Sequence, residues 1–184
     1  MAERKSRRKG ESRRAPPGVR RPSARPSQEV RLRRTGDGWE LVHPRCACDR
    51  AEDIEEVQAM LAAGETEIAR DEIRWLLQGC HDFIEAHKLL GEIAYGARDL
   101  PLARGHFGYA FRIGQQAIER AGNPRPLPYS LPGNKLFLES GKALVLCLVE
   151  LDRRELATSV VEQLLSFDPS DPLGVRHMIA TGQP

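Results

Sequence analysis

From residue 51 onward, apolar positions return at three- and four-residue spacings, the period of a helix with one buried face. Ile54, Val57 and Leu61 share such a face over 51–63, behind Asp49 as an N-cap and with Glu52 and Asp53 at the positive end of the helix dipole. Gly64 marks a turn, and a second helix is predicted over 65–78, with Trp75 as a core side chain at the seam to the next pair. Asp82 is placed to cap a third helix that runs to Gly96, and Arg98-Asp99 makes the next turn. Pro101 falls in the first turn of a fourth helix, where its missing N–H costs nothing, and that helix continues to Ala121. Four prolines between 122 and 133 exclude helix there. Leu127, Tyr129 and Leu131 in that loop are expected to tuck back onto the helices rather than offer a docking strip. An apolar helix over 134–151, a partner over 154–167 and a last helix over 172–180, capped by Ser170 or Asp171, complete the pattern. Ahead of the helices, Thr35-Gly36-Asp37-Gly38 reads as a turn and Trp39-Glu40-Leu41-Val42 as a short extended alternation. That segment, 38–49, is expected to lie on the first helices and close one end of the array.

The helices also repeat. Ala103, Phe107 and Ala110 follow Ala69, Ile73 and Leu76 at one constant interval, with no gap in the phase. Ala157, Val161 and Leu164 show the small-large-large spacing again after a longer interval, and a helix extension with the proline-rich loop accounts for the surplus. Counting Ile84 as position 1, Leu90, Gly91, Ala103, Phe107 and Ala110 fall at positions 7, 8, 20, 24 and 27. This pattern resembles the tetratricopeptide repeat, a helix-turn-helix unit of about 34 residues. The end FDPSDPLGVRHMIA is similar to the close of many bacterial repeat proteins, with the last helix as a lid. The expectation is an all-α, TPR-like helical hairpin solenoid of about three repeats over 50–183, finished by a C-terminal capping helix.

Charge divides the chain. Residues 1–36 hold 13 Lys and Arg against 3 Glu, and the remainder holds 15 basic against 23 acidic residues, so a basic segment adjoins an acidic body. Residues 1–37 are rich in Arg, Ser, Pro and Gly with few large apolar side chains, and they read as a disordered basic tail. Phosphate contact, as on RNA, DNA or an anionic membrane, is one reading of 1–36, and a solvated extension is the other. No run approaches the roughly 18 apolar residues of a membrane span. No apolar stretch follows the N-terminal charges as a secretory signal requires. Four cysteines in such a chain then read as reduced thiols in a cytoplasmic protein.

Candidate chemistry is sparse. His43, Cys46 and Cys48 offer three soft metal ligands, and Cys80-His81 could complete a tetrahedral zinc site. The Cys-x-Cys spacing lacks the second separated pair of structural zinc, so idle thiols are the favoured reading and no cofactor is expected. His81, His87 and His106 do not fall on one metal face, and His87, at position 4, reads as structural. The sequence carries no Gly-rich phosphate loop, nucleophile elbow or His-Glu-x-x-His, so no enzyme is expected.

The resemblance implies a non-catalytic protein-protein interaction adaptor. In this family the first helix of each pair lines a concave groove with positions 2, 5, 9 and 12. These are Glu85, Lys88, Glu92 and Tyr95 in the middle repeat, and Glu139, Lys142, Leu146 and Val149 in the last. Lys88 and Lys142 match a lysine of the clamp that grips acidic C-termini in some relatives. Glu92 stands where that clamp has Asn, and its carboxylate would repel such a ligand. The alternative is an RNA- or ribosome-associated factor using the Arg-rich tail.

Overall fold

A computed structural model of the chain describes residues 28–180. The described residues are mostly helical, which agrees with the all-α expectation. Positions 1–27 of the expected tail lie outside them, as do positions 181–183 of the expected array.

Two strands come first, β1 (Arg31–Arg34) and β2 (Trp39–Val42), antiparallel with Arg31 opposite Val42 and Arg34 opposite Trp39. Eight helices follow among the described residues: α1 (Arg45–Cys48), α2 (Ala51–Ala62), α3 (Thr66–Gly79), α4 (Ile84–Gly96), α5 (Leu100–Arg120), α6 (Pro132–Glu150), α7 (Arg154–Phe167) and α8 (Arg176–Ala180). The pairs α2–α3, α4–α5 and α6–α7 are consecutive helical hairpins, and each packs on the next through α3–α4 and α5–α6 contacts. The first helices of the last two pairs, α4 and α6, also touch.

The backbone repeats with the spacing seen in the sequence. The second helices begin at Thr66, Leu100 and Arg154, so the first interval is one repeat and the second is longer by the same surplus. Each tight turn is closed by a residue with positive φ: Gly64 (82°), Arg98 (61°) and Asp152 (55°). Their amides bond back to Leu61, Tyr95 and Val149, and the following amides reach Met60, Ala94 and Leu148. This left-handed closure satisfies carbonyls at the helix end. The trios Ala69/Ile73/Leu76, Ala103/Phe107/Ala110 and Ala157/Val161/Leu164 are all buried.

Small residues set the helix spacing. A Cβ at Gly91 would lie 2.6 Å from the Phe107 ring, so α4 and α5 touch only because Gly91 has none. A Cβ at Gly114 would meet Phe137 at 2.2 Å, and one at Gly141 would meet Leu164 at 2.7 Å. The buried side chains divide into two clusters that meet at α4. Ala86, Leu89, Leu90 and Ile93 of α4 belong with α2 and α3, while Ile84 and Ala94 belong with α5–α7. In the second cluster Phe111 stacks on Phe137 at 4.9 Å between centroids, and Phe167 meets Phe137 edge-on at 5.3 Å.

The structure differs from the sequence expectations in five places. Arg31–Arg34 is a strand rather than part of a tail, because pairing with β2 gives its backbone partners despite its charges. The hairpin lies on α5 and α6 rather than on the first helices. Buried Asn134 fixes it there: its Oδ1 accepts from Leu41 N at 2.9 Å, and its Nδ2 donates to Trp39 O and Pro128 O at 2.9 Å each. The helix α1 replaces extended chain at 45–48. Neither Asp49 nor Asp82 caps a helix by its side chain, since Asp49 ends α1 and pairs with Arg45, and Asp82 accepts from Val30 N at 3.2 Å. Trp75 is 55% exposed, two positions from Ile73 and so on the outer side of α3, with the Arg50 guanidinium 5.0 Å from its ring. Asp171 does close the start of α8, accepting from Val175 N and Arg176 N. The proline-rich loop packs down, as its apolar residues suggested. Leu127 is fully buried, its amide bonds to Phe167 O at 2.8 Å, and Tyr129 N donates to Asp168 Oδ2.

Candidate partner-binding face

A helix in which every fourth residue faces the same way presents positions 2, 5, 9 and 12 as a strip. In α4 that strip is Glu85, Lys88, Glu92 and Tyr95, and α6 carries Glu139, Lys142, Leu146 and Val149 beside it. Polar contacts run across these helices. Lys88 Nζ bonds Glu92 Oε1 at 2.7 Å on its own helix and lies 3.6 Å from Glu139 Oε2 on α6. Gln58 of α2 donates to Glu85 Oε1 at 3.4 Å. Tyr95 donates its hydroxyl to Glu150, which also receives Arg98 at 2.9 Å. Tyr129 of the loop donates to Glu139 Oε1 at 2.8 Å, so the loop borders the strip.

Crowded carboxylates perturb one another here. Burial raises the Glu85 pKa above its ordinary value; Lys88 opposes this, and the charges of Glu92 and Glu139 reinforce it. Burial opposes the charge of Lys88, but its bonds to Glu92 and Glu139 outweigh burial and hold its pKa above the ordinary lysine value. Lys88 is thus the cation that lets three glutamates share one surface. Toward the C-terminal end of α6 the strip turns apolar, with Leu146 41% and Val149 37% exposed. A surface with a charged centre and exposed aliphatic side chains at one end is suited to a peptide or a protein face that brings both a polar and an apolar contact.

Sequence reasoning placed eight of these residues, expected Tyr129 to tuck onto the helices without joining it to the strip, and missed Gln58, Arg98 and Glu150. Gln58 had a signal, standing one full repeat before Glu92 at the equivalent position. The apolar pattern of the loop placed Tyr129 on the helices, but its bond to Glu139 depends on the path of the loop.

The metal candidates are engaged in other contacts. Cys46 and Cys80 form a disulfide, with their Cα atoms 5.7 Å apart. This corrects the expectation that all the thiols are reduced. His43 Nε2 lies 3.0 Å from Gly133 O, and Cys48 Sγ is 3.9 Å from His43 O. Among the described residues no group of three or more His, Cys, Asp or Glu is arranged to hold a metal ion. His87 and His106 have ring centroids 6.1 Å apart, and His87 packs against Tyr109 at 4.5 Å. Burial lowers the His87 pKa to about 4, and the neighbouring His106 adds to the shift. His87 is therefore a neutral packing group. No helix of the described residues is long and apolar enough to cross a membrane. No family model matches the chain, and no curated protein matches it either.

Proposed function

We propose that this chain is a non-catalytic adaptor of the tetratricopeptide-repeat type, which holds a protein partner on the face formed by α4 and α6. One observation carries the reading: Gln58, Glu85, Lys88, Glu92 and Glu139, from the first helices of three successive hairpins, interact in one polar strip, with Tyr95 bonded to Glu150 beside it, and the strip runs into exposed Leu146 and Val149. The like-built turns at Gly64, Arg98 and Asp152, each closed by a residue with positive φ, support the family. A partner gains from burying Leu146 and Val149, while charges that it sets against the strip would fix its orientation more than its affinity. We place the protein in the cytoplasm, where thiol buffers oppose lasting disulfides and the Cys46–Cys80 bond would be a transient one.

A photo-crosslinking residue in place of Leu146 in the full chain tests the reading, with the same residue in place of Leu102 on α5 as the comparison. The expected outcome is a discrete cross-linked protein from position 146 that is absent from position 102. Equal labelling from both positions, or none from 146, sinks it.

A second reading, phosphate contact by residues 1–36, draws on β1, where Arg31 and Arg34 are exposed while Arg33 is paired with Glu40 at 2.6 Å. Its test is a salt titration of RNA binding to the full chain and to an Arg31→Ala/Arg34→Ala variant. Equal binding by both removes this reading's support from β1.

A further inference from the structure

Three of the four cysteines gather at one corner of the molecule. Cys46 and Cys48 lie on α1, and Cys80 ends α3. Cys80 is completely buried, Cys46 is half-buried, and Cys48 is an exposed free thiol. The fourth, Cys147, is buried in α6, away from this corner, and burial followed by the charge of Glu150 pushes its thiol up to about 11. An oxidised pair with a third, solvent-accessible thiol two residues from one partner is the material needed for thiol–disulfide exchange.

We propose that Cys46, Cys48 and Cys80 form a thiol–disulfide exchange site that moves one bond between a long-range and a local position. The Cys48 thiolate attacks Cys46 Sγ. The Cys46–Cys80 bond breaks, the Cys46–Cys48 bond forms, and Cys80 leaves as a thiolate that takes a proton from solvent. The proton lost by Cys48 goes to solvent, so the step is redox-neutral and needs no outside oxidant. A small-molecule thiol is the external substrate class. One molecule attacks the exposed local bond and forms a mixed disulfide while one cysteine leaves as a thiol; a second molecule attacks the outer sulfur, frees the other cysteine and leaves with the first as their disulfide.

Exposure decides which sulfur is attacked. Cys46 is reachable and Cys80 is not, so attack falls on Cys46 and Cys80 is the leaving group. Two residues apart on one chain, Cys48 meets Cys46 at an effective concentration on the order of millimolar or above. On a helix, however, residues i and i+2 point to different sides. Transfer therefore passes through opening of α1. That helix has four residues, and its turn is held by Ala47 N and Cys48 N on Pro44 O and by Asp49 N on Arg45 O. So short a helix opens readily. Once the bond has moved, α1 is no longer tied to the end of α3. The site thus couples the thiol state to the freedom of the N-terminal hairpin.

Peptide mapping of the full chain tests this. Trypsin cuts after Arg45, Arg50, Arg74 and Lys88, so Cys46 and Cys48 fall together on Cys46–Arg50 and Cys80 on Trp75–Lys88. Oxidised protein is held at pH 8 without reductant, quenched with N-ethylmaleimide in denaturant so that buried thiols react, digested and weighed. The expected result is a growing fraction of Cys46–Arg50 that carries an internal disulfide, matched by maleimide on Cys80. In Cys48→Ser, Cys80 should stay unlabelled over the same time. Retention of the cross-linked peptide alone in the wild type overturns the proposal. So does labelling of Cys80 at equal rates in wild type and Cys48→Ser, or a chain that holds only free thiols after air oxidation.

Discussion

At one end of the array, α2 and α3 bury Ile54, Val57, Ala69, Ile73 and Leu76, and the Cys46–Cys80 bond ties α1 to the end of α3. At the other end, α5, α6 and α7 enclose Phe111, Phe137 and Phe167, and Asn134 and Asp168 bind the hairpin and the proline-rich loop over them. The first region contains no ring stack, and its outer helix α2 packs chiefly on α3, touching α4 through Gln58 and Glu85. The second has neighbours on both sides. In a stack where each hairpin is sheltered by the next, an end hairpin loses one interface. In the oxidised protein a covalent link compensates at the N-terminal end, while a cap made of hairpin, loop and α8 does so at the C-terminal end.

This contrast can be broken at its strongest point first. Phe137→Ala removes a fully buried ring that touches two others and should cost about 3–5 kcal/mol of stability, read as a lower denaturation midpoint. The loss should be seen by probes in α5–α7. Next, Cys46→Ser/Cys80→Ser should cost about 2–4 kcal/mol, but only in the α2–α3 region. Hydrogen exchange resolved by region separates this from a global loss. Third, Asn134→Ala leaves Leu41 N–H, Trp39 O and Pro128 O without their partner and should cost about 1–3 kcal/mol. Faster exchange of the Leu41 amide would show the hairpin lifting before the helices melt.

A smaller effect sits on the boundary between the regions. His87 joins α4 to α5 and is neutral in the fold, with its pKa lowered from 6.5 to about 4 by burial. As pH falls below 6.5 the unfolded chain takes up a proton there and the folded chain does not, so stability present at neutral pH is lost as pH drops toward 4. His106, whose pKa is also lowered by burial, acts in the same direction. Glu85, with its pKa raised, acts in the opposite direction at lower pH. His87→Leu should flatten the slope of stability between pH 6.5 and 4, leaving the smaller slope that His106 and Glu85 contribute. An unchanged slope would deny His87 this role.

The repeat was legible because it is written in local pattern. The spacing of Ala69, Ala103 and Ala157 survives in the chain since close helix approach needs a small side chain at each of those points. The strand β1 was not legible. Arg-Leu-Arg-Arg has the composition of a solvated tail, and what makes it a strand is pairing with β2, whose place is fixed by Asn134 far along the chain. The Trp75 error is instructive, because Ala69, Ile73 and Leu76 already define the inward side of α3 and residue 75 falls off it. The disulfide left one trace: Cys46 and Cys80 are separated by a full repeat. The candidate face was partly legible, since Glu85, Lys88, Glu92 and Tyr95 follow from helical spacing, whereas their links to Glu139 and Glu150 depend on how α6 docks.

The N-terminal hairpin α2–α3 is a separate unit held by its covalent tie to α1 and joined to the rest chiefly through α4, with His43 on Gly133 and Val30 on Asp82 as smaller links. Hydrogen exchange of the full chain with and without a dithiol reductant measures this directly. Reduction should raise exchange throughout α2 and α3, leave α5, α6 and α7 protected as before, and place α4 between the two. Equal acceleration in all the helices, or none in α2 and α3, would contradict it.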